Sequence, residues 1–148
     1  MWTLGFLQDR FARGSFWYLP EVDLYENYDA PEMKKEIDIL CMHGGKFIAV
    51  EVKRSARQLI NKPEGVDSFV QKMNLIRPDI AMLSFEQYCD SEEDVETAKT
   101  SFGKTLNEIR SRLDSNIELE TIVASEVQGF NDAPADLGYF GRRTDSME

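Results

Sequence analysis

Histidine is nearly absent from this chain. One, His43, occurs in 148 residues, with two cysteines, Cys41 and Cys89. A zinc centre draws on several nitrogen and sulfur ligands, so this composition argues against one. It also leaves a histidine-based triad poorly supported, and His43 reads as a polar residue beside a turn. Two cysteines are too few for a disulfide framework. No apolar run approaches the roughly 18 residues of a membrane span, so no membrane partner is expected. The first ten residues lack both a basic region and a long apolar stretch, so no secretory signal is expected and a cytoplasmic protein is the default. Gly-rich phosphate loops and internal repeats are missing too. Positive charge is in short supply, with 17 basic residues against 27 acidic and a net charge of −10. That balance counts against a general nucleic-acid coat protein, because phosphate binding is mainly electrostatic.

What is present is enough apolar material for one domain with a real core: 42% of the residues are hydrophobic, a globular composition. The expected domain covers residues 1–127, followed by a tail over 128–148 containing Gly, Asp and Pro.

The most informative stretch runs from Glu36 to Lys53. In Lys35 to Met42, Ile37, Ile39 and Cys41 alternate with Glu36, Asp38, Leu40 and Met42. In Phe47 to Lys53, Ile48, Val50 and Val52 alternate with Phe47, Ala49, Glu51 and Lys53. A period of two puts alternate side chains on opposite faces of a strand. Gly44 and Gly45 lie between the runs, and a Gly-Gly pair suits a two-residue hairpin turn in which both positions need positive φ. The register follows. His43 pairs with Lys46, and continuing outward places Cys41 opposite Ile48, Ile39 opposite Val50, Asp38 opposite Glu51, Ile37 opposite Val52 and Glu36 opposite Lys53. One face is then wholly apolar and includes Cys41, which reads as core. The other carries charge at the end away from the turn.

Directly opposed carboxylates destabilise a strand pair. A hard divalent cation between them reverses the sign, because Mg²⁺ or Mn²⁺ takes oxygen ligands and keeps waters or phosphate oxygens in its remaining positions. Lys53, two residues beyond Glu51, can orient a water or stabilise charge on an attacked phosphate. Glu36 reads either as a supporting acid or as the ion partner of Lys53.

The pattern of Asp38, twelve intervening residues, then Glu51-Val52-Lys53 resembles the PD-(D/E)xK nuclease superfamily, with its restriction-endonuclease-like or resolvase-like fold. Ile37 stands where that family usually has proline. The resemblance implies an α/β fold with an αβββαβ core, a mixed sheet flanked by helices, here with an extra C-terminal helix and strand. It further implies that Asp38 and Glu51 bind the metal with the Val52 carbonyl as a further ligand, and that Lys53 is the catalytic lysine. Many members carry an acid on the first helix. Gln8 and Asp9 lie on the candidate helix here and Glu21 lies later, which leaves the number of metal ions open. The element order covers about residues 3 to 88.

Those elements can be read directly. Leu4, Leu7 and Phe11 give a helix over Leu4 to Arg13, stopped by Gly14. Ser15 to Tyr25 reads as a first strand, with Pro20 marking an edge or a bulge, and Asn27 to Met33 as a loop. After the hairpin, Ser55 can cap a helical turn to about Asn61, and Lys62-Pro63-Glu64-Gly65 interrupts it. Val66, Phe69, Val70 and Met73 then form a helical stripe ended by Pro78. Ile80 to Phe85 is a short strand, expected to pair parallel to a hairpin strand because a helix connects them. Ser91 opens a long helix with Glu92, Glu93 and Asp94 in its first turn and Val95, Ala98, Phe102, Leu106, Ile109 and Leu113 as its stripe. Ile117 to Val127 is a last strand candidate.

Charge is unevenly spread. Lys34 to Lys62 holds seven basic residues and three acidic ones, so the motif sits on the basic part of an acidic chain. Arg54, Arg57 and Gln58 follow Lys53 where a helix begins, a sensible place for phosphate contact, and equally a place for exposed salt bridges. The expectation is a Mg²⁺-dependent nuclease, with Mn²⁺ as substitute, hydrolysing phosphodiester bonds in DNA, acting as a homodimer or delivered by a protein partner. Two rivals are a non-catalytic module of nuclease fold that binds nucleic acid or protein, and an α/β adaptor whose acidic long helix is the interaction surface.

Overall fold

The computed structural model of the chain describes residues 2–10, 14–25, 29, 35–90 and 94–126. Along it run helix α1 (Trp2–Arg10), strands β1 (Phe16–Leu24), β2 (Lys35–His43) and β3 (Lys46–Ser55), helices α2 (Ala56–Ile60) and α3 (Pro63–Ile76), strand β4 (Ile80–Gln87), helix α4 (Val95–Arg112), strand β5 (Glu118–Val123) and a 3-10 turn at Ala124–Glu126. The expected loop over Asn27 to Met33, apart from Asp29, lies outside the described residues. So do Phe11, the helix start at Ser91 to Glu93, and the tail over 128–148.

The strands form one sheet in the order β1-β2-β3-β4-β5. β1, β2 and β3 are antiparallel neighbours; β3–β4 and β4–β5 are parallel. The mixed character follows from the connections. A two-residue turn can only reverse the chain, whereas a helical crossover returns it in the same sense. Gly44 and Gly45 have φ of 57° and 79°, the left-handed values that this turn requires. Pro20 stands in β1, an edge strand, where a missing N–H does least harm.

Each face of the sheet has its own core. Leu4 and Leu7 of α1 join Ile39, Cys41, Ile48, Val50, Ile80, Met82 and Ile122 on one side. On the other, Ala49, Leu83 and Phe85 meet Leu59 of α2, Phe69 and Met73 of α3, and Phe102 and Ile109 of α4. The result is an α/β protein with a five-stranded mixed sheet flanked by helices. β4 is buried from Ile80 through Phe85, as a strand covered on both faces must be. Thr3 and Ser84, both buried, satisfy each other through a 2.9 Å hydrogen bond between α1 and β4.

Two local expectations change. The Lys62–Gly65 stretch leaves only Asn61 and Lys62 outside helices, because Pro63 occupies the first turn of α3, where its fixed φ and missing N–H suit a helix start. Ser55 sits at the N-cap position of α2 with extended backbone but makes no capping hydrogen bond; it is a buried residue of β3.

Candidate metal centre

The hairpin register matches the expected one from His43–Lys46 to Ile39–Val50. There the ladder stops. A continuing ladder would send the Val52 N–H to the Ile37 carbonyl. Instead Val52 N donates to Asp38 Oδ2 at 2.6 Å. The Asp38–Glu51, Ile37–Val52 and Glu36–Lys53 pairs expected from the sequence are therefore not part of the ladder. Ile37, which should share a face with Ile39, packs in the opposite core, so β2 rolls as it leaves β3. Its other neighbour bends at the same level. The β1–β2 pairs pass from Pro20–Ile39 to Val22–Ile37, and Glu21 between them has a φ of 51°.

Asp38 and Glu51 occupy the first position beyond the last ladder pair. The Glu51 charge is felt at Asp38. Burial holds the Asp38 carboxyl above the ordinary aspartate value; the Val52 hydrogen bond pulls it down, the Glu51 charge raises it, and Lys53 and Lys72 lower it. Glu51 is on the helix-covered face of β3, beside Leu83 of β4, and only 7% exposed. The sequence pattern placed it on a charged face; α3 covers that face.

A buried carboxylate demands positive partners, and Glu51 has two. Lys53 Nζ donates to Oε1 at 2.6 Å. Lys72 Nζ donates to Oε2, and also to the Glu36 carbonyl at 3.0 Å. Lys53 thus takes Glu51 as ion partner and not Glu36, for which that pairing was one of two readings; Glu36 contributes its main-chain oxygen and is exposed. Lys72 is the residue that strand reasoning passed over. It lies on α3 between Phe69 and Met73 and is 6% exposed. A lysine three residues after Phe69 falls on the same side of a helix, so the signal was a cation inside an apolar stripe.

Arg54 and Gln58 are exposed. Arg57 donates through Nη2 to Asp94 at 3.0 Å, and its backbone N–H bonds the Tyr88 carbonyl, so its guanidinium is engaged in a surface ion pair. Of the candidate additional acids, Asp9 on α1 and Glu21 in β1 are exposed and Gln8 is half-buried. Among the described residues, no three His, Cys, Asp or Glu side chains gather into one metal-binding group. The donor set is therefore two carboxylates, with Val52 between the second acid and Lys53. That set fits a hard cation such as Mg²⁺, which is held by one or two carboxylates plus waters and substrate phosphate. It does not fit zinc. A cavity of about 320 Å³ lined by Arg77, Asp79, Asp114 and Asn116 precedes β4 and β5, at the other end of the parallel strands from Lys53.

No protein-family model, curated protein or solved structure matches this chain. Among the described residues, no helix is long and apolar enough to cross a membrane.

Proposed function

We propose that this chain is a metal-dependent nuclease of restriction-endonuclease-like fold, hydrolysing phosphodiester bonds in DNA. One observation carries the reading: Asp38 and Glu51 lie together where the hairpin ladder ends, with the Lys53 ammonium on Glu51 Oε1. Asp38 and Glu51 would hold Mg²⁺, with the Val52 carbonyl as a further donor. When bound, the ion supplies Lewis acidity and a more acidic water.

The chain's own residues do the positioning. The Val52 amide fixes one Asp38 oxygen and leaves the other for a ligand. Lys53, with a side chain one-third exposed, can leave Oε1 and turn to a phosphate oxygen, where its charge offsets the charge that develops during attack. Arg54 is exposed one residue on and can contact a neighbouring phosphate without carrying sequence information.

The test is cleavage of labelled DNA in Mg²⁺ by purified wild type, Asp38→Asn and Lys53→Met. Either substitution should lower the rate at least about a hundredfold with the melting temperature largely kept. Cleavage undiminished in either variant rejects the assigned roles. A non-catalytic module of the same fold is favoured by one observation, that both Glu51 oxygens already meet ammonium groups. It requires no Mn²⁺ binding and equal thermal stability in metal and in chelator.

A further inference from the structure

The charge count at the site is even. Asp38 and Glu51 bring two negative charges, Lys53 and Lys72 two positive ones. The two lysines are not equivalent. The Lys53 side chain is 33% exposed and that of Lys72 is 7% exposed. Lysine is among the residues least often buried, and a buried ammonium persists only when it is paired. Lys72 is paired twice, with Glu51 Oε2 and with the Glu36 carbonyl.

We propose that Lys72 is the resident cation of this site: a positioning residue that neutralises Glu51 in the metal-free protein and thereby sets the affinity for a divalent ion. The inference rests on the metal-binding reading above. A divalent ion entering beside Asp38 and Glu51 meets a site already neutral. Lys53 can swing toward solvent. Lys72 is enclosed, so its charge remains next to Glu51 and opposes the newcomer in a region of reduced dielectric. The negative charge that offsets this comes from substrate phosphate. Metal binding by the free protein is therefore weak, and metal and nucleic acid bind with positive coupling, each raising the affinity of the other by the same factor.

The experiment is calorimetric titration of Mn²⁺ into the full chain, as wild type, Lys72→Met and Lys72→Gln, with thermal melts of each in EDTA and in Mn²⁺. Removing the charge should tighten Mn²⁺ binding roughly tenfold or more. It should also lower the melting temperature in EDTA, and Mn²⁺ should restore more of the loss than it adds to wild type. A variant that folds only in Mn²⁺ supports the proposal in stronger form. A folded variant that binds Mn²⁺ no tighter than wild type, or more weakly as a plain packing lesion would, overturns it. So does a pair of variants unfolded in both conditions. If wild type still cleaves DNA while no affinity gain is seen, the role of Lys72 falls and the nuclease reading stands. If neither wild type nor any variant binds Mn²⁺, the metal reading falls and takes this role with it.

Discussion

Val52 N donates to Asp38 Oδ2 at 2.6 Å, in the place that the Ile37 carbonyl would occupy in a continuing hairpin ladder. A side chain has replaced a main-chain acceptor, so the strands separate without orphaning a donor. The Glu36 carbonyl, two residues before Asp38, accepts from Lys72. Ladder end and carboxylate orientation are one structural event, and the buried lysine packs beside it.

Asp38→Ala removes that acceptor and should destabilise the protein by about 1–3 kcal/mol. Asp38→Asn keeps a side-chain oxygen for the Val52 N–H and should lose less. Urea denaturation in chelator measures both. Equal losses would mean that the hydrogen bond contributes little and that the lost charge or packing dominates.

The apo protein should respond to acid through the same residue. Burial is the main reason that the folded pKa of Asp38 lies above its ordinary 3.8. Between the two values the folded chain holds a proton that the unfolded chain has released. The Asp38 contribution to stability therefore rises as pH falls through the folded value, and declines as pH increases. Stability measured against pH in chelator should show this component in wild type and lack it in Asp38→Asn. Parallel curves for the two proteins would contradict it.

Glu51 and Lys72 should be strongly coupled. Glu51→Ala leaves a buried ammonium with the Glu36 carbonyl as its partner, at a cost of about 3–5 kcal/mol. Replacing both, as Glu51→Leu with Lys72→Met, removes the desolvated charges together and should recover most of that loss. A double-mutant cycle on denaturation free energies gives the coupling; additive losses would show that the pair does not act as a unit.

Cys41 should be chemically silent in the folded state. It is fully buried in β2, and burial pushes its thiol up to about 11. The thiolate is the reactive species, so alkylation at pH 8 should be slow in buffer and fast in denaturant. Mass spectrometry of the labelled peptide separates Cys41 from Cys89; rapid native labelling of Cys41 would show that β2 opens readily.

Much of the fold was legible because its signals are local. The Gly44-Gly45 turn fixed the register over five residue pairs, from His43–Lys46 to Ile39–Val50. The helix between the hairpin and Ile80 announced a parallel β3–β4 pairing. The candidate acids were legible for the same reason, since Asp38 and Glu51 lie within the two alternating runs. What escaped was set by tertiary context. Strand periodicity shows which residues share a face; it does not show that α3 covers the charged one, so the burial of Glu51 was not legible. Nor does it reveal that an aspartate side chain will end the ladder it belongs to. Arg57 read equally as a phosphate contact or as a surface ion pair, and its Asp94 partner, 37 residues on, could be found only in three dimensions.

The hairpin and α3 also differ in when they exist. During synthesis β2 and β3 can pair as soon as both have emerged, since hairpins close within about microseconds. The ammonium of Lys72 arrives only once the next helix has been made and has docked. Until then the two acids share an unfinished sheet with Lys53 alone. A chain truncated after β3 would carry every residue of the sequence motif and still lack the enclosed environment that orients Glu51, which ties the arrangement of these side chains to completion of the domain rather than to presence of the motif.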